Sequence, residues 1–399
     1  MSLPQELLDE ILSHLPLDYG EDRRSLQSHS LVAKSWVNPS RRRLFRTVEI
    51  QETTLQSWFD TISPANEELL QHICSLSYIA NATSQWAVQQ PEYHVDVLWD
   101  YLPSLHQLRH LSLSSMHIPS DIAQQVEMFS AFRHTLSRLS LDYCNVTISA
   151  LITLINYFPS LDCLDLNHPL HEVDGEPVPP LSRPIIQKLH ISNVHGNGID
   201  LLDKLSELGP VFDEIVVGGW LQDYLHALGP ILGTVGAKAK CLRLLRDFKP
   251  RRSTPGSMLL SCCRGLRELE IAMACPGTKE VDLITSITST NIRKITFTYL
   301  SSVQRLSWYG VHWGVLDNPL SLLVNRLGCK RQLEVEFRIL DVKVIEMDGA
   351  RAMVIVNSLA EFREKGKIRV VLVGLDGSEY VIHVGFIVPV FIPFADLPH

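Results

Sequence analysis

From about residue 48 onward, apolar and polar positions recur in a short fixed order. Leu108-x-x-Leu111-x-Leu113, Leu136-x-x-Leu139-x-Leu141, Leu161-x-x-Leu164-x-Leu166 and Ile186-x-x-Leu189-x-Ile191 are followed by Phe212-x-x-Ile215-x-Val217, Leu242-x-Leu244, Leu266-x-x-Leu269-x-Ile271 and Ile292-x-x-Ile295-x-Phe297. Alternation with period two predicts a short strand in each copy, its apolar marks facing a core and the residues between them facing solvent. Leu111, Leu139, Leu164, Leu189, Ile215, Leu242, Leu269 and Ile295 follow one another at a nearly constant step of about 26 residues. Weaker copies stand earlier, at Val48-x-Ile50 and Leu76-x-Tyr78, and one stands later, at Leu333-x-Val335. Between strands the spacing lengthens to that of helices. Ser120 to Phe132 carries Ile122, Val126 and Phe129, and Thr147 to Phe158 carries Leu151, Leu154 and Phe158. Strands that alternate with helices at a steady period predict a parallel sheet built by stacking.

Residues 1–46 follow another rule. Leu7, Leu8, Ile11, Leu12 and Leu15 form the apolar stripe of an amphipathic helix that Pro4 starts and Pro16 ends. After a polar break at Asp18 to Asp22 comes a second apolar set, Leu26, Leu31, Val32, Trp36 and Val37, closed by Asn38-Pro39. A last short segment places Arg41, Arg42, Arg43 and Arg46 around Leu44 and Phe45. So small a block does not bury this much apolar surface alone, and a partner or the domain behind it is expected to cover it. At the other end, Ile368 to Gly374 and Tyr380 to Val384 flank Asp376-Gly377 and predict a β-hairpin that caps the last repeat.

The segments Leu3-Pro4-x-Glu6-Leu7-x-x-x-Ile11-Leu12-x-x-Leu15, Ser30-Leu31-Val32-x-Lys34-x-Trp36 and Arg43-Leu44-Phe45 together resemble an F-box, in the form found at the N-terminus of many basidiomycete proteins. The stretch Tyr19-Gly20-Glu21-Asp22 is slightly longer than the usual loop between the first two helices. The steady period of the strand marks resembles that of leucine-rich repeats, in degenerate form. That family prefers Asn or Cys at the third position past the last strand mark; here the position holds Met116, Cys144, Pro169, Val194, Trp220, Asp247, Ala274 and Leu300, and only Cys144 conforms. The expected fold is therefore α/β: a short helical F-box over residues 1–46, an irregular leucine-rich-repeat solenoid with a parallel sheet on its concave face over 47–340, and a capping segment with a β-hairpin over 341–399. A stretch near residues 171–184, rich in Pro and acid, reads as a loop interrupting the array.

Composition removes several classes of function. The 399 residues carry 36 Lys and Arg against 44 Asp and Glu, for a net charge of −8, which disfavours wholesale nucleic-acid binding. The longest apolar stretch, Phe386 to Phe394, contains Pro389 and Pro393 and is far shorter than the ~20 residues a bilayer-spanning helix needs. No secretory leader is expected, so the chain is placed in the cytoplasm, the nucleus or both. The eight cysteines include no Cys-x-x-Cys pair, and neither metal nor cofactor is expected. Gly229-x-x-x-Gly233-x-x-Gly236-x-Lys238 lacks the spacing of a phosphate-binding loop, and no nucleophile elbow or zinc-protease helix is present, so the chain is not expected to be an enzyme.

The resemblance implies a substrate-recognition subunit of an SCF-type cullin ubiquitin ligase. Its F-box would dock on the Skp adaptor, which links it to the cullin and RING subunits, and its repeats would bind an unknown protein substrate. The expected adaptor contacts are Leu3, Pro4, Leu7, Ile11, Leu12, Leu31, Val32 and Trp36. Two other readings stay open: an adaptor-bound scaffold that recruits a partner without its ubiquitination, and an independent repeat scaffold with no adaptor. One charged run stands out, Lys238, Lys240, Arg243, Arg246, Lys249, Arg251 and Arg252, opposed only by Asp247. Arg243 also belongs to the outward series Ser112, Ser140, Asp165, His190, Val216, Arg243, Glu270 and Thr296. On that basis Lys188, His190 and Arg243 are the expected substrate contacts.

Overall fold

The computed structural model describes residues 27–28, 34–62, 67–80, 98–99, 102–118, 122, 126–168, 170–172, 185–193, 201, 204–205, 211–218, 232, 236–245, 260–273, 276–300, 311–328, 333–342, 349–374 and 379–384. It divides into two compact units, Met1–Arg183 with His195–Leu201, and Pro184–Val194 with Leu202–His399. The chain is mixed α/β. Among the described residues its principal strands are thirteen in number, five in the first unit and eight in the second, and nearly all pair in parallel. Among the same residues no helix is long and apolar enough to cross a membrane.

The first unit runs α1 (Lys34–Leu44), β1 (Thr47–Gln51), α2 (Glu52–Ile62), β2 (Ser75–Ile79), β3 (His110–Ser114), β4 (His117–Ile118), β5 (Arg138–Asp142), β6 (Asn145–Thr147), α3 (Ile148–Tyr157), β7 (Cys163–Asn167) and β8 (Leu170–Glu172). Its main sheet has the order β1-β2-β3-β5-β7, every pair parallel. The repeated apolar marks set the register: Val48 pairs with Leu76, Leu76 with Leu111, Leu111 with Leu139 and Leu139 with Leu164. All five are buried, because a slip of a single position would turn every mark toward solvent. Behind the sheet, Trp99, Phe129, Phe132 and Phe158 form an aromatic core, with Phe132 stacked on Phe158 at 5.9 Å and Phe129 edge-on to both.

Helix α3 begins where the sequence predicts. The Thr147 hydroxyl accepts a hydrogen bond from the Ala150 N–H at 3.1 Å, capping the first turn. Of the predicted helix from Ser120, Ile122 is helical, its neighbours up to residue 125 lie outside the described residues, and Val126–Phe132 winds as a tighter 3-10 helix. Its buried residues include Phe129 and Phe132, which the tighter turn brings to the same side. The segment read as a loop from residue 171 opens on the last two residues of β8, and the remainder, 173–184, lies outside the described residues.

A second, small sheet has the order β4-β6-β8, again parallel. The chain turns from each main strand into this sheet through a residue with a left-handed backbone: Ser115 (φ 60°), Tyr143 (φ 51°) and His168 (φ 45°). The Ser115 N–H donates to the Asp142 carbonyl at 2.8 Å and the Tyr143 N–H to the Asn167 carbonyl at 3.0 Å, so each turn is tied to the next strand. Inside the turn, the buried Cys144 thiol donates to the Leu113 carbonyl at 3.2 Å on the preceding strand. Burial pushes this thiol up to about 12, so it acts as an uncharged donor.

The second unit contains β9 (Ile185–Ser192), β10 (Val211–Gly218), β11 (Cys241–Leu244), β12 (Glu268–Met273), α4 (Thr278–Ser286), β13 (Lys294–Leu300), α5 (Asp317–Leu327), β14 (Glu334–Val342), α6 (Gly349–Ser358), β15 (Lys367–Gly374) and β16 (Glu379–Val384). Strands β9 to β15 are parallel in chain order, with Leu189, Ile215, Leu242, Leu269, Ile295, Val335 and Ile368 in register. The predicted hairpin is present: β16 pairs antiparallel with β15, Val370 opposite Ile382. Phe297, Tyr299, Trp313 and Phe337 pack between the sheet and its helical layer.

Candidate functional site

The residues between the apolar marks form rows across each sheet on the side away from its core. In the first unit one row is Ser75, His110, Arg138 and Cys163, and the next is Ser77, Ser112, Ser140 and Asp165. The two rows are joined by hydrogen bonds. Ser140 Oγ donates to Asp165 Oδ2 at 2.7 Å, and Arg138 Nε donates to the same oxygen. Because the carboxylate only accepts, the Ser140 oxygen is left to accept from His110 Nε2 at 3.1 Å. His110 Nδ1 then accepts from the Ser75 hydroxyl at 3.2 Å. The network thus selects the Nε2–H tautomer of a neutral imidazole, and leaves Asp165 only 7% exposed with its charge met by Arg138.

Burial and then the charge of Arg138 lower the His110 pKa, against a smaller upward pull from Asp165. The folded chain therefore holds a proton on this ring less readily than the unfolded chain does. Its contribution to stability is complete above the ordinary histidine value of about 6.5 and is lost as pH falls through the lower folded-state value. Between about pH 7.5 and about pH 5, the wild-type melting temperature is expected to fall more than that of His110→Gln. Parallel pH profiles for the two proteins would refute this assignment.

In the second unit the outward rows carry charges of both signs. The three expected contact residues share this face, Lys188 and His190 on β9 and Arg243 on β11, with β10 between them. The two cations are already partnered. Glu214 on β10 receives Lys188 Nζ at 3.4 Å and Arg243 Nε at 3.0 Å, and Arg243 Nε also lies 3.7 Å from Glu270 on β12. Between them, Val216 is buried although it points outward. In the basic run Lys240 pairs with Asp213 at 2.9 Å, while Arg246, Lys249, Arg251 and Arg252 lie outside the described residues.

Further along, Glu336 on β14 has a side chain only 5% exposed between Lys294 on β13 at 2.8 Å and Arg369 on β15 at 3.1 Å. Sequence reasoning misses this residue, although Val335 beside it marks the strand. The interval from Ile295 to Val335 breaks the period, so the outward series stops short of it. The role of His110 is missed as well; its signal is the row one position before each apolar mark, where Ser75, His110 and Arg138 recur.

The expected adaptor contacts Leu3, Pro4, Leu7, Ile11, Leu12, Leu31 and Val32 lie outside the described residues. Trp36 falls on α1, of which only the backbone is described at that position. Among the described residues no group of His, Cys, Asp and Glu is arranged to hold a metal ion. A comparison with protein-family models found no match, and a comparison with curated proteins found none of significant similarity.

Proposed function

We propose that the chain is a substrate-recognition subunit of an SCF-type ubiquitin ligase, with residues 1–46 as an F-box that docks on a Skp-type adaptor and the repeat sheet as a leucine-rich-repeat surface for a protein substrate. The observation that carries the reading is the order of its parts. An F-box-like sequence precedes an array of parallel strands that advances mostly by about 26 residues per step, within the range of leucine-rich repeats. The polar, mixed-sign outward rows suit a protein partner better than nucleic acid. Such a subunit performs no chemistry; it raises the local concentration of substrate lysines beside the loaded conjugating enzyme.

Capture of a purified Skp-type adaptor by the full chain tests the first half. Removal of residues 1–46 is expected to abolish capture, and the triple variant Leu31→Ala, Val32→Ala, Trp36→Ala to weaken it at least about tenfold. Circular dichroism of both proteins separates lost binding from lost folding. Undiminished capture by the truncated chain would overturn the assignment of residues 1–46 as the adaptor site, and no capture by the full chain would leave an independent scaffold as the reading. A bound protein whose lifetime does not change when this chain is removed from cells would leave a scaffold that recruits without ubiquitination.

A further inference from the structure

The carboxylates on the outward faces are not all alike. Asp165, Glu214, Glu270 and Glu336 each face an Arg or Lys of this chain. Asp142, at the end of β5, faces none among the described residues. Its oxygens meet neutral donors, Asn167 Nδ2 at 2.5 Å and Ser114 Oγ at 3.4 Å. Both hold the carboxylate in place without neutralising it.

The next residue, Tyr143, is one of the few large hydrophobic side chains exposed among the described residues, with 50% of its surface in solvent. Its ring lies flat against that of His168 on the neighbouring turn, with centroids 3.9 Å apart and planes 13° apart. The turn requires a left-handed residue here, a conformation that Asn or Gly adopts readily and a bulky Tyr does not. Asn193 occupies the equivalent position after β9. Turn geometry therefore does not account for a Tyr at this place, and neither does core packing, since half of the side chain is in solvent. What the ring supplies is a π surface half open to solvent and held by the stack, on the residue that follows a carboxylate with no cation partner among the described residues.

That combination selects a cation with a flat face. A guanidinium donates two parallel N–H groups to one carboxylate and stacks on an aromatic ring, whereas an ammonium does neither as well. We propose that Asp142, Tyr143 and His168 form a docking point for an arginine side chain of a protein partner. The assignment rests on the reading of the repeat sheet as a protein-binding surface, and it names the chemistry of the segment bound there: basic, and placed in the first unit.

The test uses the full chain and immobilised randomised nonapeptide libraries with a fixed central Arg, citrulline, Lys or Glu, at physiological salt. Citrulline keeps the shape of Arg and removes its charge. The Arg library is expected to retain about fivefold more protein than the citrulline library, with Lys between them. Asp142→Asn and Tyr143→Asn should each bring the ratio to about one, and Tyr143→Phe, which keeps the ring, should preserve it. Tyr143→Asn also places a favoured residue in the left-handed turn, so its melting temperature should be equal to or above that of the wild type, and loss of binding through misfolding is thereby excluded. Equal retention on Arg and citrulline, an Arg preference that survives both Asn variants, or a preference for the Glu library would each overturn the proposal. Adaptor capture by the same preparations reports on the F-box reading separately, so failure of one is not mistaken for failure of the other.

Discussion

Trp313→Ala is expected to destabilise the second unit by about 4 kcal/mol, the range for truncating a large aromatic in a core that does not collapse around the gap. Trp313 is fully buried and meets Tyr299 of β13 and Phe337 of β14 edge to face, at 5.8 and 5.4 Å, while Phe337 stacks on Phe297 at 5.3 Å. Removing the indole takes away the piece that joins two strands to the helical layer, together with edge-to-face contacts worth about 1 kcal/mol each beyond buried area. Urea unfolding followed by circular dichroism measures the loss. A change under about 1 kcal/mol would mean that the surrounding rings close the cavity, and that the cluster does not depend on the indole.

Glu336→Ala is expected to cost about 3 kcal/mol, because it leaves Lys294 and Arg369 facing each other across a site built around one buried carboxylate. The two cations are about one-third exposed, so water relieves part of the repulsion and the figure sits at the low end for broken buried pairs. The triple variant Glu336→Leu, Lys294→Met, Arg369→Met is expected to recover to within about 1 kcal/mol of the wild type, since apolar groups of like volume often replace a buried ion triad at little cost. If the single variant is as stable as the wild type, the triad contributes nothing. If the triple variant is worse than the single one, the charges themselves hold the three strands.

Much of the sheet is legible in the sequence. One apolar mark per repeat suffices to align parallel strands, because a mark that leaves the core costs its full burial energy. Leu139 and Leu164, or Leu242 and Leu269, are therefore partners that arithmetic alone can find. The small sheet is not legible. His117–Ile118 and Asn145–Thr147 are too short to show a period, and the turns that lead to them carry Ser, Tyr and His, none of which announces a left-handed residue as Gly or Asn would. The outward face is legible in position but not in chemistry. Lys188 and Arg243 stand where the series puts them, yet their shared partner Glu214 lies roughly a full repeat from each along the chain. Lys188 with Glu214 and Arg243 with Glu270 are register partners, but the closer Arg243–Glu214 contact runs diagonally, so side-chain reach as well as strand register decides what neutralises a charge across the sheet.

Parallel sheets commonly assemble slowly, since each pairing waits for a long segment of chain to return. Here the shortest return between parallel neighbours of the first unit joins Leu139 to Leu164, and the longest of the second joins Ile295 to Val335. Those separations are between about 0.06 and about 0.10 of the chain length, the relative contact order of helical bundles rather than of sandwiches or barrels. Folding can begin at any adjacent pair of strands and extend by one strand at a time, each new step closing a loop of similar length. A long chain thus meets the search problem of a much smaller one, repeated.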